Sequence, residues 1–308
     1  MPVYNPPTYR EQYTKIVGFD AATCDYVCDG VADQVQWNQA IAAVAALGGG
    51  TVAGQRGLYD IAATINGSSL VDVHGSGDDT ILKASFAGPV FTGNNINHFK
   101  ISNLQIDGNS VGTYGAYLDT CSYWTIQDCY IHGFLVDGVW TNLNYAGVIF
   151  NNIITGCLGH GICCSFNDFA TKISTNYFED CGISIYTSYG TLGLITNNVS
   201  FNAITRHIHV EHVTVYKVCE NSTSDSGSAD GVLFEFVDAA VFADNSIIFT
   251  NPYAAPATYA LRCVSSSAFI IKGNSIGMYP TTDGIQLYVT YNFMVIANVI
   301  YMQYAGGG

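Results

Sequence analysis

A chain in which the pattern apolar-x-x-Asn-x-apolar returns every 22 to 29 residues is predicted to be a single right-handed parallel β-helix with a helical N-terminal cap. Two further observations support this all-β class. Apolar residues alternate at period two within each repeat, which marks strands. One segment near the N-terminus instead has helical periodicity and stops at Gly48-Gly49-Gly50.

In chain order, residues 1–15 read as an N-terminal arm, 16–69 as the cap with the first strand segment, and 70–308 as the coils of one continuous domain. The arm lacks the apolar core of a signal peptide, so export by a leader already removed, or by assembly into a virion, is expected. An open β-helix end exposes strand edges and an apolar cross-section, so it needs a lid. Residues 33–47 supply one: Asp33 is placed to cap the helix with Gln36 in a capping box, and Val35, Ala40, Ile41, Val44 and Leu47 form an apolar stripe. Thr51 to Ile61 reads as the first strand segment, and residues 70–83 and 99–106 as less regular coils.

The repeats proper follow. Positions 129, 152, 176, 198, 221, 245, 274 and 298 carry Cys129 and then seven asparagines, at spacings of 23, 24, 22, 23, 24, 29 and 24. About 23 residues suit three short strands and their turns, with coils stacked ~4.8 Å apart. Asn is expected there because it tolerates the left-handed backbone of a sharp corner and stacks its amide on the coils above and below. Gly138-Val139, Gly161-Ile162, Gly231-Val232 and Gly284-Ile285 mark the start of another strand. The coils run to Tyr301 and end at Ala305 to Gly308 without a lid, so the expectation is either a chain cut short there or an end covered by another subunit, a homotrimer being one way to cover it.

Cys28-Asp29-Gly30-Val31-Ala32-Asp33, then Ala40-Ile41, Gly48-Gly49-Gly50-Thr51-Val52 and Gly57-Leu58-Tyr59-Asp60-Ile61, resembles the N-terminal segment of the pectate-lyase-like superfamily. The resemblance covers residues 16–62. It implies the β-helix fold and a kinship with polysaccharide lyases, polygalacturonases, alginate epimerases and phage tailspikes. It also implies that a substrate groove lies on one sheet face, without fixing the chemistry.

Composition narrows the partners. With 24 Asp plus Glu against 10 Lys plus Arg, the formal charge is −14, which disfavours nucleic acid and anionic membranes. No apolar run is long enough to span a bilayer. A polysaccharide met outside the cell or on a virion is the expected partner. An anionic polymer would need a cation or a local basic group; calcium is one candidate, although the sequence requires no cofactor. Cys24 and Cys28 lie close enough to pair in an oxidising compartment. Cys129, Cys164, Cys181 and Cys263 fall at repeat positions and read as small core residues.

Aligning the coils puts Val139, Ile162, Ile185, Ile208, Val232, Leu261 and Ile285 in one inward column. The next residues, Trp140, Cys163, Tyr186, His209, Leu233, Arg262 and Gln286, then face outward. So do Asn142, Ser165, Ser188, Glu211, Glu235, Val264 and Tyr288. If the chain is a polysaccharide lyase or glycoside hydrolase, catalysis is expected from Glu211, Glu235, His209 and Arg262; the alternative is a solvated polar stripe on a non-catalytic glycan-binding spike or adhesin. The two carboxylates, one coil apart, can act as acid and nucleophile, His209 as base, and Arg262 as the holder of a sugar carboxylate. Trp140, Tyr186, His207 and Tyr288 are the expected substrate contacts. His207-x-His209-x-Glu211 also has metal-ligand spacing on one strand, although solvated polar stripes share it and no metal ligand is assigned. A loop at 251–258 would wall the groove beside Arg262. Gly159-His160-Gly161 is similar to a polygalacturonase motif. The preceding coil reads Trp140 to Asn144 without the paired aspartates that chemistry needs, so His160 is expected in a turn.

Overall fold

The computed structural model describes residues 14–224, 230–249, 259–278 and 283–302. Among them, strands form three parallel sheets of 13, 11 and 10 members, in which each strand pairs with its counterpart one coil away. One coil shows the plan: Lys172–Ser174 lies in the first sheet, Tyr177–Glu179 in the second and Ile183–Ser188 in the third. The core is a set of stacked columns, such as Ile101, Ile126, Ile149, Ile173 and Ile195, all buried.

The asparagine ladder is present, with a different division of labour from the expected one. Asn152 donates its backbone N–H and its Nδ2 to Asn176 Oδ1 at 3.0 and 2.9 Å. The same pair of bonds links Asn176 to Asn198 and every later step as far as Asn298. The left-handed backbone, however, belongs to the residue before each ladder position: Asp128, Asn151, Thr175, Asn197, Glu220, Asp244, Gly273 and Ala297. The ladder Asn therefore serves through its amide, and the corner accepts almost any side chain.

The cap helix α1 (Gln34–Ala46) buries Trp37, Ala40, Ile41 and Val44. Val35 and Leu47, expected in its apolar stripe, are exposed, because the packed face runs through Gln34 and Trp37 instead. The capping box does not form. Asp33 turns its carboxylate to the N–H groups of Asp29, Gly30 and Asp60, tying the cap to the segment after it. The segment from Thr51 to Ile61 is two strands in two sheets, Gly50–Gly54 and Gly57–Ile61, and Thr14–Gly18 precedes both, pairing with the first. Cys24 and Cys28 are free thiols; Cys24 Sγ lies 3.2 Å from Gln55 Oε1. Cys129, Cys164, Cys181 and Cys263 are buried as expected.

Candidate functional site

The ten-stranded sheet keeps the predicted register. Val139, Ile162, Ile185, Ile208, Val232, Leu261 and Ile285 stack in one column. Trp140, Cys163, Tyr186, His209, Leu233, Arg262 and Gln286 stack beside them on the outer face. Glu211 and Glu235 are direct neighbours on adjacent strands.

His209 is the hub. Its Nε2 lies 3.1 Å from Glu235 Oε2 and 3.7 Å from Glu211 Oε2, and one oxygen of each carboxylate and that nitrogen all fall within 4.8 Å of one another. Tyr186 donates its hydroxyl to Glu211 Oε1. Burial, reinforced by the Arg206 charge, pushes the His209 imidazole below the ordinary histidine value, against the pull of Glu211 and Glu235. Burial likewise raises the Tyr186 phenol, and its hydrogen bond to Glu211 raises it further. The site thus combines a neutral base, a phenol that stays protonated and two carboxylates that remain partly open to solvent.

Arg262 does not touch the carboxylate pair. It shares buried Asp230 with Arg206, at 3.7 and 3.9 Å, and lies over the Tyr259 ring. Burial raises the Asp230 carboxyl in spite of the two guanidinium groups. At the other end of the sheet, Trp140 stacks on Tyr117 with centroids 4.2 Å apart and ring planes 12° from parallel. Tyr288 is exposed beside Val264, one coil beyond Arg262.

His207 is not on this face. It is fully buried, with Nδ1 2.6 Å from Ser200 Oγ, which in turn meets Ser184 Oγ. A corner of the strand explains this. His207 lies at the position that is Gly138, Gly161, Ser184 and Gly231 in other coils, all turned inward. Ser200, where the coil before has Phe178, makes room for the ring. The metal reading that drew its ligands from one strand therefore fails, and Glu235 from the next coil takes the place given to His207. His160 is also not a turn residue: it opens the strand His160–Ser165 and pairs with Asp137 at 2.8 Å. The proposed wall at 251–258 lies outside the described residues.

Sequence reasoning missed Arg206, Asp230, Tyr117 and the Asp137–His160 pair. The signal was present: three of these five directly precede the small-residue column, as Asp137-Gly138, His160-Gly161 and Asp230-Gly231. That column turns inward, which leaves the residue before it on the outer face.

A family model described as right handed beta helix region matches residues 114–276, and the chain belongs to that family. No curated protein matches the chain in sequence. Among solved structures, the A-module of a mannuronan C-5 epimerase from Azotobacter vinelandii is similar at 15% identity and a TM-score of 0.69, over 91% of this chain and 98% of that one. A DFA-IIIase from Arthrobacter chlorophenolicus A6, in complex with DFA-III, is similar at 16% identity and a TM-score of 0.76, over 94% and 84%. PfbA, a surface adhesin of Streptococcus pneumoniae, is similar at 14% identity and a TM-score of 0.71, over 91% of each chain. At these identities the likeness is one of fold.

Proposed function

We propose that this chain is an extracellular or virion-borne protein that cleaves a polysaccharide on the outer face of the ten-stranded sheet. The observation that carries the reading is the trio Glu211, His209 and Glu235, its polar atoms within 4.8 Å of one another. Carboxyl groups about 5–5.5 Å apart suit retaining glycoside hydrolysis, whereas inversion needs a wider gap for water. Glu211, held by the Tyr186 hydroxyl, takes the nucleophile's role. Glu235, hydrogen-bonded to His209, takes the acid–base role, with the imidazole relaying the proton. Trp140 and Tyr117 offer an aromatic platform for a pyranose, and Arg262 with Arg206 lies where a sugar carboxylate would be read.

One observation favours a second reaction. A neutral, desolvated His209 that feels the Arg206 charge also fits proton abstraction beside a uronate, the first step of β-elimination. Both reactions are tested on a panel of neutral and uronic-acid polysaccharides, with and without calcium. Hydrolysis yields reducing ends alone, and elimination adds the ultraviolet absorbance of an unsaturated sugar. Glu211→Gln and Glu235→Gln should each lower hydrolysis by about 10²- to 10⁴-fold with the fold intact. Silence on every substrate, with binding retained, would leave the chain a non-catalytic glycan-binding spike or adhesin. A trimer in solution would favour that setting.

A further inference from the structure

The Gly159-His160-Gly161 motif takes no part in the chemistry above, yet it builds a second constellation two coils before His209. Asp137 Oδ1 accepts from the His160 backbone N–H at 2.7 Å and lies 2.8 Å from His160 Nδ1. Gly159 is needed for this approach: a Cβ there would lie 2.7 Å from Asp137 Oδ1 and 2.6 Å from the Val136 carbonyl. Cys163, on the same strand as His160, completes the group, and one polar atom of each of the three residues lies within 4.8 Å of the others.

Cys163 departs from the rule that governs most cysteines here. Cys129, Cys157, Cys164, Cys181 and Cys263 belong to the hydrophobic core. Cys163 instead sits on the outward column between Trp140 and Tyr186, buried but outside the core cluster. Tyr186 stacks on His160 at 4.9 Å, so the ring that closes the carboxylate site on one side closes this one on the other.

We propose that Asp137, His160 and Cys163 form a three-ligand site for a thiophilic divalent cation of the zinc class, with its open coordination position facing the groove. The donor set carries the choice of metal. Thiolate, imidazole and carboxylate together suit zinc and its neighbours rather than calcium or magnesium, which take oxygen ligands. Ligand atoms around tetrahedral zinc lie about 3.3–3.7 Å apart, so Asp137 Oδ1 and His160 Nδ1, now 2.8 Å apart, must separate slightly while Cys163 Sγ, within 4.8 Å of the group, draws in. His160, whose side chain is 27% exposed, has room to make that movement.

The test is a cobalt(II) titration of the full reduced chain, with zinc as competitor. A thiolate-to-cobalt absorption band that saturates at one equivalent and is displaced by zinc is expected. Cys163→Ser should abolish the band, and Asp137→Asn and His160→Gln should each weaken zinc binding about tenfold or more. Cys24→Ser and Glu235→Gln should leave the band in place. Circular dichroism identifies any variant that fails to fold, and Cys163→Ser, which changes only the chalcogen, keeps the test open if His160→Gln does. Absence of the band overturns the proposal, as does a band that survives Cys163→Ser. Cobalt bound without a thiolate band and lost in Glu235→Gln would place the ion on His209, Glu211 and Glu235 instead. This site stands whether or not the carboxylate pair cleaves glycans.

Discussion

At the scale of single residues, burial decides which groups carry charge, and two of them pull stability in opposite directions with pH. Asp168 is 1% exposed, accepts from Thr141 Oγ1 and from the Asn144 backbone N–H, and is pushed by burial to about 6. The unfolded carboxyl titrates near 3.9, so between those values the native state binds more protons than the unfolded one. Stability from this group is therefore present at low pH and lost as pH rises through its folded value, a loss of about 3 kcal/mol. His209 has the reverse sign. Its folded value is depressed, so its neutral form costs nothing above the unfolded value of about 6.5, and stability falls as the pH drops below that. Asp168→Asn should separate the two. Relative to the parent chain, the variant should gain about 2 kcal/mol between about pH 4.5 and pH 7.5, measured by urea unfolding at both. A difference between the two chains that does not change with pH would show that Asp168 is ionised like any solvated carboxylate.

At the scale of elements, the ladder concentrates stability in side chains that touch no ligand. Asn198 Oδ1 accepts from Asn176 N and Nδ2, while its own Nδ2 donates to the Ile173 carbonyl and to Asn221 Oδ1, all at 3.0 to 3.1 Å. Asn198→Ala leaves the buried Asn176 N–H and the Ile173 carbonyl without these partners, at about 1–3 kcal/mol each. A loss of about 3 kcal/mol or more in denaturant unfolding is expected. Asn298→Ala removes the matching bonds to Asn274 and Ile271, but its site is half-buried and water can replace them, so its effect should be much smaller. Equal effects would mean that the ladder records the turn rather than stabilising it. These asparagines were also the most legible feature in the sequence, because a buried amide that must meet its copy in each coil allows no drift in register. The outward columns follow from the same register, which sets Glu211 beside Glu235 and puts His209 and Arg262 in one column, although Arg262 turns to Asp230. What could not be read was a break in alternation. Ser184 and Ile185 both point inward at a corner of the strand, so period-two counting back from His209 put His207 on the wrong face. The same corner turned Asp137, His160, Arg206 and Asp230 outward at positions that strict alternation does not distinguish.

At the scale of the whole molecule, the solenoid turns local register into a long face whose charge is set by the entire chain. Among the described side chains, the strands of the ten-stranded sheet carry four acidic residues, Asp119, Asp137, Glu211 and Glu235, against Arg206 and Arg262. Both arginines are already turned to Asp230. A net charge of −14 surrounds this face, and at low ionic strength that field reaches well beyond it. At 0.1 M salt the Debye length shrinks to about 10 Å, which leaves contacts on this face largely intact while removing the long-range repulsion. A neutral glycan should therefore bind with an affinity that hardly changes between about 0.02 and 0.3 M salt. A polyuronate should bind severalfold tighter as salt rises over the same range, the opposite of the usual behaviour of an ionic ligand. Arg262→Ala should weaken the polyuronate at every salt concentration and leave the neutral glycan close to unchanged. Calorimetric titration with chains of matched length reads both slopes. If polyuronate affinity instead falls with salt, the Arg206–Arg262 pair outweighs the field of the whole chain, and the face is built to collect anionic sugar rather than to admit it only under screening.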